Sequence, residues 1–278
     1  VIGSPARKEQ FFKRSDLRNE ILDAITSGDS ILVSAPRRVG KTSILLDLVD
    51  DPDPDVFTVY IDSEAIENPE DFFQLILKEI LNGDRIEGFG KFSKSVKDSF
   101  SKWSNRLAGI SIGGFGLDIR QGEKISYYDK LIDFLSEINL ESKRIAILVD
   151  EFPITVEHIH HKHGIDGVRH FLNQNRTLRQ NPAFQQKVKF IYCGSIGLFT
   201  VVKRLNATDR INDLREIKIG ALRKRDAEIF VTDLLFGKTG MVPEIVIIDY
   251  ILHKIEWWIP FYFQLMVKEL SDLIVYDR

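Results

Sequence analysis

Two short stretches carry the residue types that chemistry needs. The first is Ala35-Pro36-Arg37-Arg38-Val39-Gly40-Lys41-Thr42-Ser43, which contains x-x-x-x-Gly-Lys-Thr after the apolar run Ile31-Leu32-Val33. A loop of this pattern between a strand and a helix cradles nucleotide phosphates. Backbone N–H groups of the turn form an anion-binding concavity, and the helix start adds unpaired N–H groups and its positive dipole end. Lys41 would reach the β- and γ-phosphates as a point charge, and the Thr42 hydroxyl would ligate Mg²⁺. Gly40 lets the backbone approach the phosphates with no Cβ between them. Ala35 stands where a first glycine is usual, and alanine holds that place if its φ is negative. Residues 35–43 are therefore the candidate nucleotide-binding set.

The second stretch is Ile145-Ala146-Ile147-Leu148-Val149-Asp150-Glu151, an apolar run ending in two acids. A strand buried on both faces of a parallel sheet reads this way, and ligands gather at the carboxyl ends of such strands. Asp150 would hold Mg²⁺ through water, and Glu151 would polarise the water that attacks the γ-phosphate. Any strand can end in an acid; two acids following a phosphate loop weigh against coincidence. A further strand ends in Cys193-Gly194-Ser195. If it lies between the first and third strands, Ser195 points toward the γ-phosphate and orients the lytic water; otherwise Ser195 merely caps the next helix. ATP or GTP would fit these groups. No Asn-Lys-x-Asp guanine reader is present where one is needed, which favours ATP.

The elements that must position these residues alternate strand and helix. Leu17, Ile21, Ala24 and Ile25 share a helical face, with Ser15 as N-cap and Gly28 as the stop. Phe57–Ile61 reads as a second strand. A helix starts at Asn68-Pro69-Glu70, with acids against its dipole, and ends at Asn82-Gly83. Phe92, Val96, Phe100 and Trp103 fit another. Ile110–Ile112 and Phe115–Ile119 flank Gly113-Gly114, the pattern of a two-residue β-hairpin, read as an insertion over about 108–121 that serves as a flap or as core cover. A helix from Tyr127 to Ile138 precedes the strand Arg144–Asp150, and a helix over 167–180 precedes the strand Val188–Cys193. A fifth strand ends at Ile217–Ile219. Helices over about 223–236, 243–254 and 261–276, separated by Gly237 and Pro260, complete the chain. The organisation expected is a core over 1–220 and a helical lid over 221–278.

With these motifs the chain resembles the bacterial and archaeal P-loop ATPases of the AAA+/STAND group, signal-transduction ATPases with numerous domains. The resemblance runs from about Phe11 to Gln264. It rests on the loop above, on Leu148-Val149-Asp150-Glu151-Phe152-Pro153 and on Cys193-Gly194-Ser195-Ile196-Gly197-Leu198. It implies an α/β fold with a parallel sheet in the order 5-1-4-3-2, helices on both faces and a lid closing over the nucleotide. It also implies slow, Mg²⁺-dependent ATP hydrolysis used as a conformational switch. Phe12 and Arg14 match an amino-terminal box near the adenine, with Lys13 replacing its glycine. Trp258-Ile259-Pro260 stands where such ATPases have Gly-x-Pro, so Pro260 is expected against the base. Arg210 is the leading candidate for an arginine contacting the γ-phosphate, ahead of Arg204 and Arg169. Arg37 and Arg38 would touch phosphate, an adjacent acid or a neighbouring domain.

Composition narrows the rest. Of the 278 residues, 44% are hydrophobic, enough for a sizeable core. The net charge of −3 gives no general attraction to nucleic acid. A single cysteine, Cys193, excludes an internal disulfide and suits a reducing cytoplasm. No apolar run approaches the ~18 residues of a membrane span, and the start Val1-Ile2-Gly3-Ser4-Pro5 does not read as a secretory signal. A cytoplasmic ATP-binding protein with a protein partner or self-association is the expectation. The rival is a nucleic-acid-handling AAA+ module in which ATP licenses assembly. Lys203, Arg204 and Arg223-Lys224-Arg225 speak for it; the pI near 6.1 speaks against it. No room remains after the lid for the winged helix usual in such modules, so a piece of a longer protein is expected. Four of the six histidines fall in His158–His163, read as an exposed polar loop rather than a metal site.

Overall fold

Alternating apolar side chains along the strands decide the layers of this molecule. The computed structural model describes residues 5–8, 11–111, 126–195 and 197–276. Its strands are β1 (Ile31–Ser34), β2 (Val56–Asp62), β3 (Arg144–Asp150), β4 (Val188–Cys193) and β5 (Arg215–Lys218). They form one parallel sheet in the order β2-β3-β4-β1-β5, the order expected. In β3, Ile145, Ile147 and Val149 join one core cluster, while Ala146 and Leu148 join the cluster on the opposite face. This is the period-two alternation of a strand buried on both sides. The register pairs Leu148 with Ile191 and Ile191 with Ile31, so the segments following β1, β3 and β4 emerge together at one sheet edge.

The helices are α1 (Ser15–Ser27), α2 (Lys41–Asp50), α3 (Pro69–Ile80), α4 (Gly83–Phe89), α5 (Lys94–Ser111), α6 (Tyr127–Glu137), α7 (Phe152–Gln180) and α8 (Leu198–Arg204) in the core. Where a lid is expected lie α9 (Lys224–Thr239), α10 (Ile245–Lys254) and α11 (Pro260–Tyr276). Helices α1 and α2 cover one sheet face through Leu17, Ile21, Ile25, Ile44 and Leu48. Helices α3 to α8 cover the other around Phe57, Phe72, Phe100, Phe134 and Phe171. The lid has its own cluster, including Leu222, Phe230, Ile251 and Phe263. Within it the Leu222 N–H donates to the Trp258 carbonyl at 2.8 Å. Ile259, fully buried, packs into the core cluster beside Ile217 and Ile219.

Several local expectations change. Ser15 is the first residue of α1, and Arg14 takes the N-cap position with no side-chain cap; Gly28, at φ 99°, ends the helix as expected. Asn82 caps a helix rather than ending one: its side-chain oxygen accepts from the Asp84 and Arg85 N–H groups and starts α4. Helix α5 runs through Ser111, so Ile110 and Ser111 are helical; the 3.6 spacing of Val96, Phe100 and Trp103 prevails there over the short β-like run, while Phe92, expected on the same helix, precedes it. The rest of the expected hairpin, Ile112 to Ile119, lies outside the described residues. The histidine stretch is helix and not loop, because α7 begins at Phe152 and passes through a kink at Gly164, φ 70° and ψ −173°. Gly237 lies inside α9, which ends instead at the left-handed Gly240. Among the described residues, no helix is long and apolar enough to cross a membrane.

Candidate nucleotide site

The loop from Ala35 to Gly40 turns at the end of β1 and delivers Lys41 and Thr42 into the first turn of α2. Gly40 adopts φ 93°, and a Cβ there would meet no protein atom within 4 Å. The glycine is required by its backbone conformation, which faces open space. Ala35 is not among the residues of positive φ, so alanine serves where a glycine is usual. Lys41 is 7% exposed, and its ammonium donates to the Pro36 carbonyl at 3.0 Å. A buried ammonium held by one carbonyl, beneath a loop of backbone N–H groups, is arranged to receive an anion.

The ends of β3 and β1 meet at Thr42 and Asp150. The Thr42 hydroxyl donates to Asp150 Oδ2 at 2.6 Å, and Tyr60 on β2 donates its hydroxyl to the same oxygen at 3.2 Å. The Glu151 N–H donates to Oδ1 at 3.0 Å. Burial pushes the Asp150 carboxyl above its ordinary range, and the neighbouring Glu151 charge adds to this; the bonds from Thr42, Glu151 and Tyr60 oppose it. A cation placed beside this pair would relieve that cost. A hydroxyl and a single carboxylate, with room for phosphate oxygens, are the protein donors that Mg²⁺ accepts. Tyr60 carries no motif and was not singled out from the sequence; only the parallel register Asp62 to Asp150 brings it here. Ser63 supports the same strand end. Its hydroxyl donates to the Asp150 carbonyl at 2.8 Å, and Thr155 donates to the Ser63 carbonyl at 2.6 Å.

Glu151 sits at φ 53° and ψ 27°, a left-handed conformation for a residue with a Cβ. Pro153 and Phe152 behind it start α7 and are both buried. Strand β4 lies between β1 and β3, so the condition set for Ser195 is met. Its backbone N–H and its hydroxyl both donate to Glu151 Oε2, each at 2.9 Å. Gly194 makes this approach possible. A Cβ there would lie 2.4 Å from Pro153 Cδ and 2.7 Å from Cγ.

Lys41, Thr42, Glu151 and Ser195 open into one cleft of about 460 Å³, while Ala35, Pro36 and the buried Asp150 stand behind its lining. Arg14, Arg37 to Ser43, Glu151, Ser195 and Pro260 all line it, so most of the expected site residues come together. Its aromatic and apolar lining is Phe11, Phe12, Leu222, Phe230 and Phe261. Arg14 donates to the Gly220 carbonyl at 3.1 Å, and desolvation lowers its pKa. Phe12 packs on Phe230 of the lid, with ring centroids 5.3 Å apart. The volume is that of a small-ligand pocket, lined by both cations and aromatic rings. Three arginines fall elsewhere. Arg210 pairs with Asp209, Arg204 with Glu157, and Arg169 donates to the Leu205 carbonyl; none lines the cleft. His158, His160, His161 and His163 are exposed on α7. Among the described residues, no group of three or more His, Cys, Asp or Glu could hold a metal ion.

No protein-family model and no curated protein matches the sequence. Solved structures match its fold. A Walker-type ATPase of Pyrococcus abyssi superposes with a TM-score of 0.62 at 14% identity, over 96% of this chain and 69% of that one. The ORC1 protein of Aeropyrum pernix, solved in complex with DNA, gives 0.54 at 11% identity, over 95% of this chain and 61% of that one. The fold is that of the P-loop nucleoside triphosphatases.

Proposed function

We propose that this chain binds ATP with Mg²⁺ in the cleft and hydrolyses it slowly, as a nucleotide-driven switch of the AAA+/STAND kind. The observation that carries this reading is the 2.6 Å contact of Thr42 with Asp150, facing a cleft shared with Lys41 and Glu151. Mg²⁺ would neutralise charge on the β- and γ-phosphates. Lys41 and the loop N–H groups would hold the same phosphates, while Phe11, Phe12 and Pro260 would flank the base. Glu151 would take a proton from the attacking water as its oxygen bonds to the γ-phosphorus and the bond to the β-phosphate oxygen breaks, giving ADP and phosphate. Ser195 occupies only Oε2 of that carboxylate, so the pair suits a base held in place by its neighbour. The switch step is lid movement on nucleotide exchange. A protein partner or second copy would meet an apolar lid, since Met241, Val242, Ile245 and Val246 are all exposed there.

The match to a protein solved with DNA motivates a second reading, in which nucleotide licenses binding to nucleic acid. Of the basic residues that would serve it, Arg204, Arg223 and Lys224 are paired internally, with Glu157, Asp16 and Glu228. Retention on DNA that falls with salt would favour this second reading.

Steady-state hydrolysis of ATP and GTP with Mg²⁺, for wild type and Glu151→Gln, tests the first. Turnover lost by a factor of ~10² or more in the variant, with nucleotide binding kept, is the expected result. Equal turnover in both proteins would remove Glu151 from the chemistry.

A further inference from the structure

Arg38 bridges the two halves of the cleft. It lies in the phosphate loop at φ 68°, a left-handed backbone rarely adopted by residues with a Cβ. Its guanidinium carbon stands 4.1 Å from the ring centroid of Phe261, the second residue of α11. Both residues line the cleft. The source of the cleft's positive charge gives this contact its meaning. Among the described lining residues the cations are Arg14, Arg37, Arg38 and Lys41, all before or within the phosphate loop. The lid contributes Leu222, Phe230, Pro260, Phe261 and Gln264, none of them charged. Among the described residues that line the cleft, the lid therefore supplies no cation.

We infer that Arg38 and Phe261 together form the link by which the lid senses the terminal phosphate, an inference that rests on the nucleotide reading above. A guanidinium has two separate binding surfaces. Its face stacks on an aromatic ring, and its N–H edge donates in-plane to phosphate oxygens. With its guanidinium carbon over the Phe261 ring, Arg38 would offer that edge to the β- and γ-oxygens. Phosphate charge, guanidinium and ring then form one continuous contact from loop to lid. A triphosphate completes it and closes the lid, and a diphosphate leaves it weaker. The left-handed backbone at Arg38 fits this role, because strain at a ligand clamp persists only where its surroundings hold it.

The test measures affinity for a non-hydrolysable ATP analogue and for ADP, with Mg²⁺, by calorimetry on the full chain. Emission of Trp257 and Trp258, just before Pro260, supplies a second readout of lid position. The proteins are wild type, Phe261→Leu, Arg38→Lys, Arg38→Ala and the Arg38→Ala/Phe261→Leu double variant. Phe261→Leu keeps an apolar side chain and removes the ring; Arg38→Lys keeps the charge and removes the plane. Each is expected to weaken triphosphate binding by roughly 5-fold and ADP by less than about 2-fold, with a reduced tryptophan response. The double variant should be no weaker than Arg38→Ala alone. Losses that add, or that fall equally on ADP and the triphosphate, would overturn the link while leaving the nucleotide site intact. A wild-type chain that binds neither nucleotide would overturn both.

Discussion

Ser195 holds Glu151 by a single oxygen, with backbone N–H and hydroxyl both donating to Oε2 at 2.9 Å. The acid that follows β3 is thereby fixed by a residue just beyond β4. Its left-handed backbone turns it off the strand, and Ser195 decides where the carboxylate then stands.

The two donors can be separated by substitution. Ser195→Ala removes the hydroxyl and keeps the N–H, so Glu151 should be loosened and not released. Loss of one charge-assisted bond of about 1.5 kcal/mol should slow turnover roughly 10-fold. Nucleotide affinity should stay within about twofold, because the phosphates bind the loop rather than Ser195. Single-turnover hydrolysis beside equilibrium binding checks this; unchanged turnover would remove Ser195 from the chemistry, and it does not cap α8 either, whose N-cap is Gly197.

Gly194 is predicted to tolerate no side chain. The Cβ of Gly194→Ala would overlap the Pro153 ring at 2.4 and 2.7 Å, and neither β4 nor the start of α7 can move alone. Overpacking of this kind costs about 1–3 kcal/mol, a fall in melting temperature of roughly 2–10 °C for a domain of this size. Turnover should fall as well, since Pro153 is two residues from Glu151. A thermal melt decides it, and a fall below about 1 °C would show that the contact relaxes freely.

Asp150 gives the protein a dependence on pH. Burial raises its carboxyl above the ordinary value, so the native chain holds that proton more tightly than the unfolded chain does. Without metal, stability should therefore decrease as pH rises from the ordinary carboxylate value through the raised one. Asp150→Asn should remove this decrease and make the metal-free protein the more stable of the two at neutral pH. It should also lose any stabilisation by Mg²⁺. Melting temperatures across pH, with and without Mg²⁺, test both statements; an unchanged pH slope in the variant would assign the effect to another group.

Much of this architecture is readable from residues alone because strand and loop patterns are local. The run Ile145–Val149 must be buried on both faces, and Gly-Lys-Thr after a strand needs only its own backbone to make an anion site. Ser195 could be judged only conditionally, since its role depends on strand order. Tyr60 was invisible for a related reason: its hydroxyl reaches Asp150 through register with a strand far along the chain. The cleft's aromatic end was half seen, with Phe12 anticipated and Phe230 and Phe261 not, because lid residues meet the loop only once α9 and α11 are folded back. The misjudged segments share one cause. At Ile110 and over His158–His163, local composition suggested strand or loop, whereas helix already begun continued through both.

The burial of Ile259 among core residues has a mechanical consequence. Ile259, with Phe261 packed against the same cluster that holds Ile217 and Ile219, would serve as a pivot for α11, a helix of 17 residues. At ~1.5 Å per residue that helix is about 25 Å long, so a tilt of roughly 10° at the pivot sweeps its far end through about 4 Å. An ångström-scale adjustment around one phosphate group would in this way be amplified into a displacement large enough for another macromolecule to read.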